Sequence, residues 1–212
     1  MAAAPDPSSV RFPGPWHDRA WHHFDVRANG LKFHAVECEP SGSPDRPLVL
    51  LLHGYTEFWW GWRYQLQALT DAGYRAVAVD LRGYGDSDKP PRGYDGWTLA
   101  GDTNGLVRSL GHRTATLVGN ADGGLVCWAT ATLHPRVVDR IAVLASPHPR
   151  ALRRDVLLHR LQRSAFLSGF LHNQLPRLGE RRLVHHDARF VDQYFRRLSS
   201  PRWQQTADFA DT

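Results

Sequence analysis

Apolar residues follow two rhythms along this chain. His23-Phe24-Asp25-Val26-Arg27 and Leu31-Lys32-Phe33-His34-Ala35-Val36 alternate around Asn29-Gly30. That dipeptide between two period-two runs predicts a β-hairpin. Leu48-Val49-Leu50-Leu51-Leu52 is continuously apolar, as a central parallel strand covered on both faces would be. Tyr74 to Val79, Thr114 to Val118 and Arg140 to Ala145 read as further strands, the last of them buried. Helical segments alternate with them: Trp59 to Ala72 ending at Gly73, Thr98 to Leu110 stopping at Gly111, and Leu125 to Leu133. Strand–helix alternation predicts an α/β fold with a mostly parallel sheet of about six strands.

The pattern changes after Pro149. Ala151 to His172 places Leu152, Val156, Leu157, Leu161, Phe166 and Phe170 on or near one side of a helix. Pro176 breaks it, and Phe190 to Leu198 is a second short helix. No strand is expected beyond residue 150. Three regions follow: an irregular Pro- and Ala-rich arm over 1–20, an α/β core over 21–149 and a helical region over 150–212. The 140–145 strand would then be a sheet edge, and exposed apolar edges invite aggregation. The expectation is that a partner, or a further segment of a longer chain, covers it.

Charge divides along the same line. Residues 1–149 are nearly balanced, with 14 basic and 15 acidic side chains, whereas 150–212 carry 12 arginines against 6 acids. The arginines are dispersed and lack interleaved aromatics, so solvated helix faces explain them better than a nucleic-acid surface. No apolar run approaches a membrane span, and the start has neither a basic n-region nor an apolar h-region. A cytoplasmic protein is expected. Cys38 and Cys127 lie far apart without CxxC spacing, which argues against a disulfide framework or a zinc site. Cys127 reads as a buried thiol. His185-His186-Asp187 lacks metal-ligand spacing and reads as a solvated loop. Neither a metal nor a cofactor is expected.

The chemistry gathers in three loops at the carboxyl ends of strands, where such sheets bind ligands. The first is His53-Gly54-Tyr55-Thr56-Glu57-Phe58-Trp59-Trp60-Gly61-Trp62-Arg63. The second runs from Asp80-Leu81-Arg82-Gly83-Tyr84-Gly85 to Pro90. The third is Gly119-Asn120-Ala121-Asp122-Gly123-Gly124, between a strand and a helix. Strand, glycine-rich turn and helix are the setting of a nucleophile elbow. A dinucleotide loop is a poorer reading, because the spacing is not GxGxxG and the His53-Gly54 loop has no place in it.

Order and spacing of these loops resemble the α/β-hydrolase superfamily, and within it the epoxide-hydrolase branch, over roughly residues 20–212. The resemblance implies covalent catalysis by an aspartate nucleophile, with a base histidine, an orienting acid and cap tyrosines. It implies that the backbone N–H groups of Tyr55 and Asp122 form an oxyanion hole, and that the segment after Ser146-Pro147-His148-Pro149 begins a cap. His53 would be structural beside the pocket. Trp59 and Trp60 would wall the pocket floor or serve the core. Tyr194 is the one tyrosine in the cap-like region and a candidate proton donor there. The substrate would be a small apolar epoxide or ester.

Two departures complicate this. Aligning Gly119 with the strand end and Gly123-Gly124 with the helix start puts Ala121, which has no nucleophilic atom, at the elbow tip. The other register makes Asp122 the nucleophile, with Asn120 at the first small position; asparagine tolerates unusual backbone angles but is bulkier than glycine. The strands expected to carry the acid and base are also missing, and none of His159, His172, His185 or His186 is assigned as base. Two readings stay open: an epoxide-hydrolase-type enzyme that is impaired as it stands, and a non-catalytic binding protein on a hydrolase scaffold.

Overall fold

The computed structural model describes residues 21–38 and 45–160, and single positions 163, 193 and 196. The chain divides into two compact units, Met1–His148 and Pro149–Thr212. Within the first, six strands form one sheet: β1 (Trp21–Ala28), β2 (Leu31–Cys38), β3 (Leu48–Leu52), β4 (Arg75–Val79), β5 (Ala115–Asn120) and β6 (Val138–Leu144). Their spatial order is β1-β2-β4-β3-β5-β6. β1–β2 and β2–β4 pair antiparallel, whereas β4–β3, β3–β5 and β5–β6 pair parallel. The expected α/β class with a mostly parallel sheet is therefore found.

Asn29 and Gly30, at φ 48° and 78°, turn β1 into β2. Two consecutive positive φ values match the right-handed strand twist, which is why Asn-Gly suits a two-residue hairpin. β3 is buried along its whole length. Its side chains alternate between two cores. Leu48, Leu50 and Leu52 join Phe33, Val77, Val79, Leu106 and Leu117 on one side. Val49 and Leu51 join Val36, Ala76, Ala78, Leu66 and three tryptophans on the other. A continuous apolar run thus serves both faces at once.

Helix α1 (Arg63–Asp71) brings Leu66 to the second core. Helices α2 (Gly96–Ser109) and α3 (Asp122–Leu133) bring Leu106, Val107, Val126 and Cys127 to the first. The helix expected over 59–72 splits: Trp59–Trp62 form a 3-10 turn, and α1 follows. That tighter turn carries Trp59, Trp60 and Trp62 into burial together, which one amphipathic α-helical stripe would not do. α2 begins two residues before the expected Thr98, because Asp95 accepts hydrogen bonds from the Trp97 and Thr98 amides and caps the helix there. α3 starts at Asp122, directly from the turn, rather than at Leu125.

One expectation is corrected. The 140–145 segment was expected to be a buried strand, yet β6 has no buried residue, and Leu144 is 50 % exposed. It pairs with β5 alone among the described residues, so it lies at the sheet edge. Cys127 is fully buried and its thiol is pushed up to about 12 by burial; Cys38 is buried too, and the two form no disulfide.

In the second unit, helix α4 runs over Pro149–Leu158. The remainder of the 151–172 helix, the 190–198 helix and the 1–20 arm lie outside the described residues, as does Tyr194. No described helix is long and apolar enough to cross a membrane.

Candidate active site

β3, β4 and β5 run parallel, so their carboxyl ends present the three loops on one edge of the sheet. The loop after β3 is built around its histidine and its glutamate. His53 is fully buried. Its Nδ1 lies 2.8 Å from the Gly54 carbonyl oxygen, and its Nε2 accepts the Leu81 amide at 2.9 Å. A carbonyl needs a donor and an amide needs an acceptor, so the ring is neutral with its proton on Nδ1. Burial lowers its pKa, in keeping with that state. The imidazole's one free lone pair is already spent on Leu81. His53 therefore pins the loops after β3 and β4 together, and it also lines the cavity described below.

Glu57 was given no role by the sequence. Its carboxylate accepts the Gly54 amide at 2.8 Å and both-oxygen contacts from Asn120 Nδ2 at 2.9 and 3.1 Å. It bridges the loop after β3 to the turn after β5. The available signal was an acid three residues beyond Gly54, placed to fold back onto that amide. Thr56 adopts φ 63°, an uncommon conformation for a β-branched residue.

The turn after β5 is shaped by close approach. A Cβ on Gly119 would overlap the backbone of Gly123, and one on Gly123 would overlap the Leu52 and His53 carbonyl oxygens. Glycine is required at both positions because α3 starts hard against the ends of β3 and β5. Between them, Ala121 sits at φ 46° and ψ −112°, while Asp122 is already the first residue of α3. The positive φ thus falls on Ala121, whose amide donates to the Leu144 carbonyl at 2.9 Å. Its Cβ faces Gly54: a Cβ built there would stand 3.1 Å away.

Asp122 takes a different position. Its side chain is exposed and has no hydrogen-bond or ion-pair partner among the described residues. Crowding by the surrounding protein, and then the nearby Glu57 charge, raise its pKa above the ordinary carboxylate value; His53 opposes them weakly. As a first-turn residue of α3, its amide has no partner within the helix.

A cavity of about 330 Å³ opens beside Asp122. Its wall comprises His53, Gly54, Leu81, Arg82, Tyr84, Tyr94, Gly96, Leu99, Leu125 and Val126. Tyr84 stands edge-on to His53 at 4.8 Å, and its hydroxyl pKa is pushed to about 12 by burial and by Asp122. Tyr84 and Tyr94 were not singled out from the sequence. Trp59 and Trp60 are not on this wall; they lie in the second core, 5 % and 2 % exposed, edge-on to each other at 5.3 Å. Tyr55 is half-buried and is not on the wall either. The loops therefore bring His53 and Asp122 to one cavity and leave the tryptophans to the core. No group of acids, histidines and cysteines suited to a metal occurs among the described residues.

An α/β-hydrolase fold family model matches residues 47–208, most of the chain and all three loops. The chain belongs to this family, in its epoxide-hydrolase-like branch. It is 38 % identical to epoxide hydrolase 4 of Mus musculus over 159 residues, covering 73 % of this chain and 42 % of that protein. It is 36 % identical to the AB hydrolase superfamily protein YfhM of Bacillus subtilis over 172 residues, 79 % of this chain and 58 % of that one. The crystal structure of epoxide hydrolase A from Mycobacterium thermoresistibile superposes with a TM-score of 0.71 at 32 % identity, over 91 % of this chain and 63 % of that one. The chain thus spans less than two thirds of each of these relatives. Within the family's sheet, the described strands supply the three site loops.

Proposed function

We propose that this chain is an epoxide-hydrolase-type α/β hydrolase whose elbow is impaired, because alanine occupies the nucleophile position. One observation carries the reading: the positive φ at the turn belongs to Ala121, between the two glycines that the turn's close contacts require. Residues held at such angles by their surroundings cluster at active sites, and a methyl group there cannot attack an epoxide or an ester. In this reading the Tyr55 and Asp122 amides form the oxyanion site, Glu57 orients the loops that carry them, and His53 fixes the loop after β3. The substrate class is a small apolar epoxide or ester, in keeping with the relatives named epoxide hydrolases.

The test is restoration. Ala121→Asp puts a carboxylate at the turn. On incubation with styrene oxide, that carboxylate attacks a ring carbon, the C–O bond breaks, and the released alkoxide takes a proton, leaving an ester on the enzyme. Intact-mass spectrometry is expected to find one styrene oxide mass added to the variant and none on the unaltered chain. Turnover by the unaltered chain that vanishes in Asp122→Asn would reverse the reading, making Asp122 the nucleophile.

A further inference from the structure

The cavity beside Asp122 combines an apolar, aromatic wall with one open carboxylate. Leu81, Leu99, Leu125 and Val126 give it an apolar wall, and Tyr84 and Tyr94 add two aromatic rings. Asp122 is the one wall side chain whose charge is unpaired among the described residues. Arg82, the cation on the wall, is already committed: its Nε and Nη2 donate to the two oxygens of Asp102, each at 2.7 Å, and both residues are buried. His53 is neutral and fully engaged. Glu57, held by Gly54 and Asn120, adds a second negative charge close enough to act on Asp122. The local field is therefore negative, in an apolar and aromatic setting.

We propose that this cavity binds a small protonated amine with an apolar body, Asp122 serving as counter-ion and the tyrosine rings facing the ammonium or its attached carbons. A charge-assisted hydrogen bond to a carboxylate is stronger than a neutral one. Aromatic faces attract a partly desolvated cation as well. A volume near 330 Å³ lies at the small end of ligand pockets, which suits an arylalkylamine. A bound cation would offset the Glu57 repulsion that helps to disfavour the ionised form of Asp122. The inference goes beyond the hydrolase reading and does not need a working elbow.

Isothermal titration of the unaltered chain with benzylamine and with benzyl alcohol, its neutral counterpart, tests the proposal. Benzylamine is expected to bind at least about tenfold tighter, as one charge-assisted contact allows. Asp122→Asn, nearly isosteric, is expected to erase that preference while leaving the alcohol's affinity unchanged. Leu125→Trp, which fills the cavity, is expected to weaken both ligands. Equal affinities, no binding by either ligand, or a preference that survives in Asp122→Asn would overturn the proposal. The outcome is separable from the hydrolase test, because it reads reversible binding with Ala121 in place, whereas that test reads a covalent adduct at residue 121.

Discussion

The loop after β4 and the turn after β5 each present an aspartate at the same edge of the sheet, and the two are treated in opposite ways. Asp80 is 1 % exposed and surrounded by donors. Its Oδ1 accepts the Trp59 amide at 2.8 Å; its Oδ2 lies 2.7 Å from His34 Nδ1 and 3.3 Å from the Asp86 amide. His34 passes the contact on to His23 at 2.9 Å. Burial alone would raise the Asp80 pKa, but the His34 hydrogen bond and the Trp59 amide outweigh it and hold the pKa below the usual value. Asp122 is exposed and unpartnered, and its pKa moves up. A carboxylate with both oxygens engaged ties elements together; one left open at a cavity is available to a ligand.

Removing Asp80 gives the largest expected effect. Asp80→Ala strands the Trp59 amide and His34 in a region that excludes water. Leaving such buried polar groups unpaired costs about 3 kcal/mol or more. Urea unfolding is expected to show a loss of unfolding free energy of that size, with a correspondingly lower midpoint. A loss under about 1 kcal/mol would mean that the network around Asp80 relaxes freely, and the contrast with Asp122 would lose its basis.

The difference between the two aspartates was not legible in the sequence, although the scaffold around them was. Period-two and continuous apolar runs located the hairpin and β3, because burial on one or two faces writes directly into residue order. The glycines at 119, 123 and 124 located the elbow for the same kind of reason, a local steric demand. The partners of Asp80 come from β2, 46 residues upstream, and from the 3-10 turn after β3. No short-range pattern encodes such meetings. Glu57 escaped notice likewise, since its link to Asn120 spans 63 residues. The two registers of the turn shared every residue and differed only in a backbone angle. The edge position of β6 shows the converse limit: an apolar run predicts a strand, but exposure depends on what lies next to it.

A smaller effect is expected from pH, through His53, which ties the loop after β4 to the loop after β3. Burial lowers the pKa of His53 in the folded protein, so the unfolded chain binds a proton more readily. Stability is then full above the unfolded pKa of about 6.5 and falls as pH drops below it. His23, lowered by burial and by His34, adds in the same direction. His53 alone contributes a slope of at most about 1.4 kcal/mol per pH unit. The contribution of Asp80, whose pKa is depressed, stays intact through this window and is lost only below the ordinary aspartate value of 3.8. Urea midpoints at pH 7.5, 6.5 and 5.5 are expected to decline across the last interval. A flat profile would show that His53 takes up its proton as readily in the folded as in the unfolded chain, and that the Leu81 amide contact it must then give up contributes nothing to stability.

The smallest effect is expected where the sequence drew most attention. Asp122→Asn breaks no hydrogen bond or ion pair to a described residue, and it removes a charge that the fold disfavours. A raised carboxylate pKa means that the folded state binds its proton more tightly than the unfolded chain does, so ionisation costs stability as pH rises. The first turn of α3 favours a negative charge and offsets part of that cost. Because Asp122 is exposed, solvent screens most of the remainder. Unfolding at pH 7.5 is expected to change by no more than about 0.5 kcal/mol, on the stabilising side. A loss of several times that size would place Asp122 with Asp80, as a carboxylate the fold depends on, and would leave the cavity without a free counter-ion. Near-neutrality, set beside the large cost at Asp80, would mean that this protein keeps an acid at the cavity for something other than its own folding.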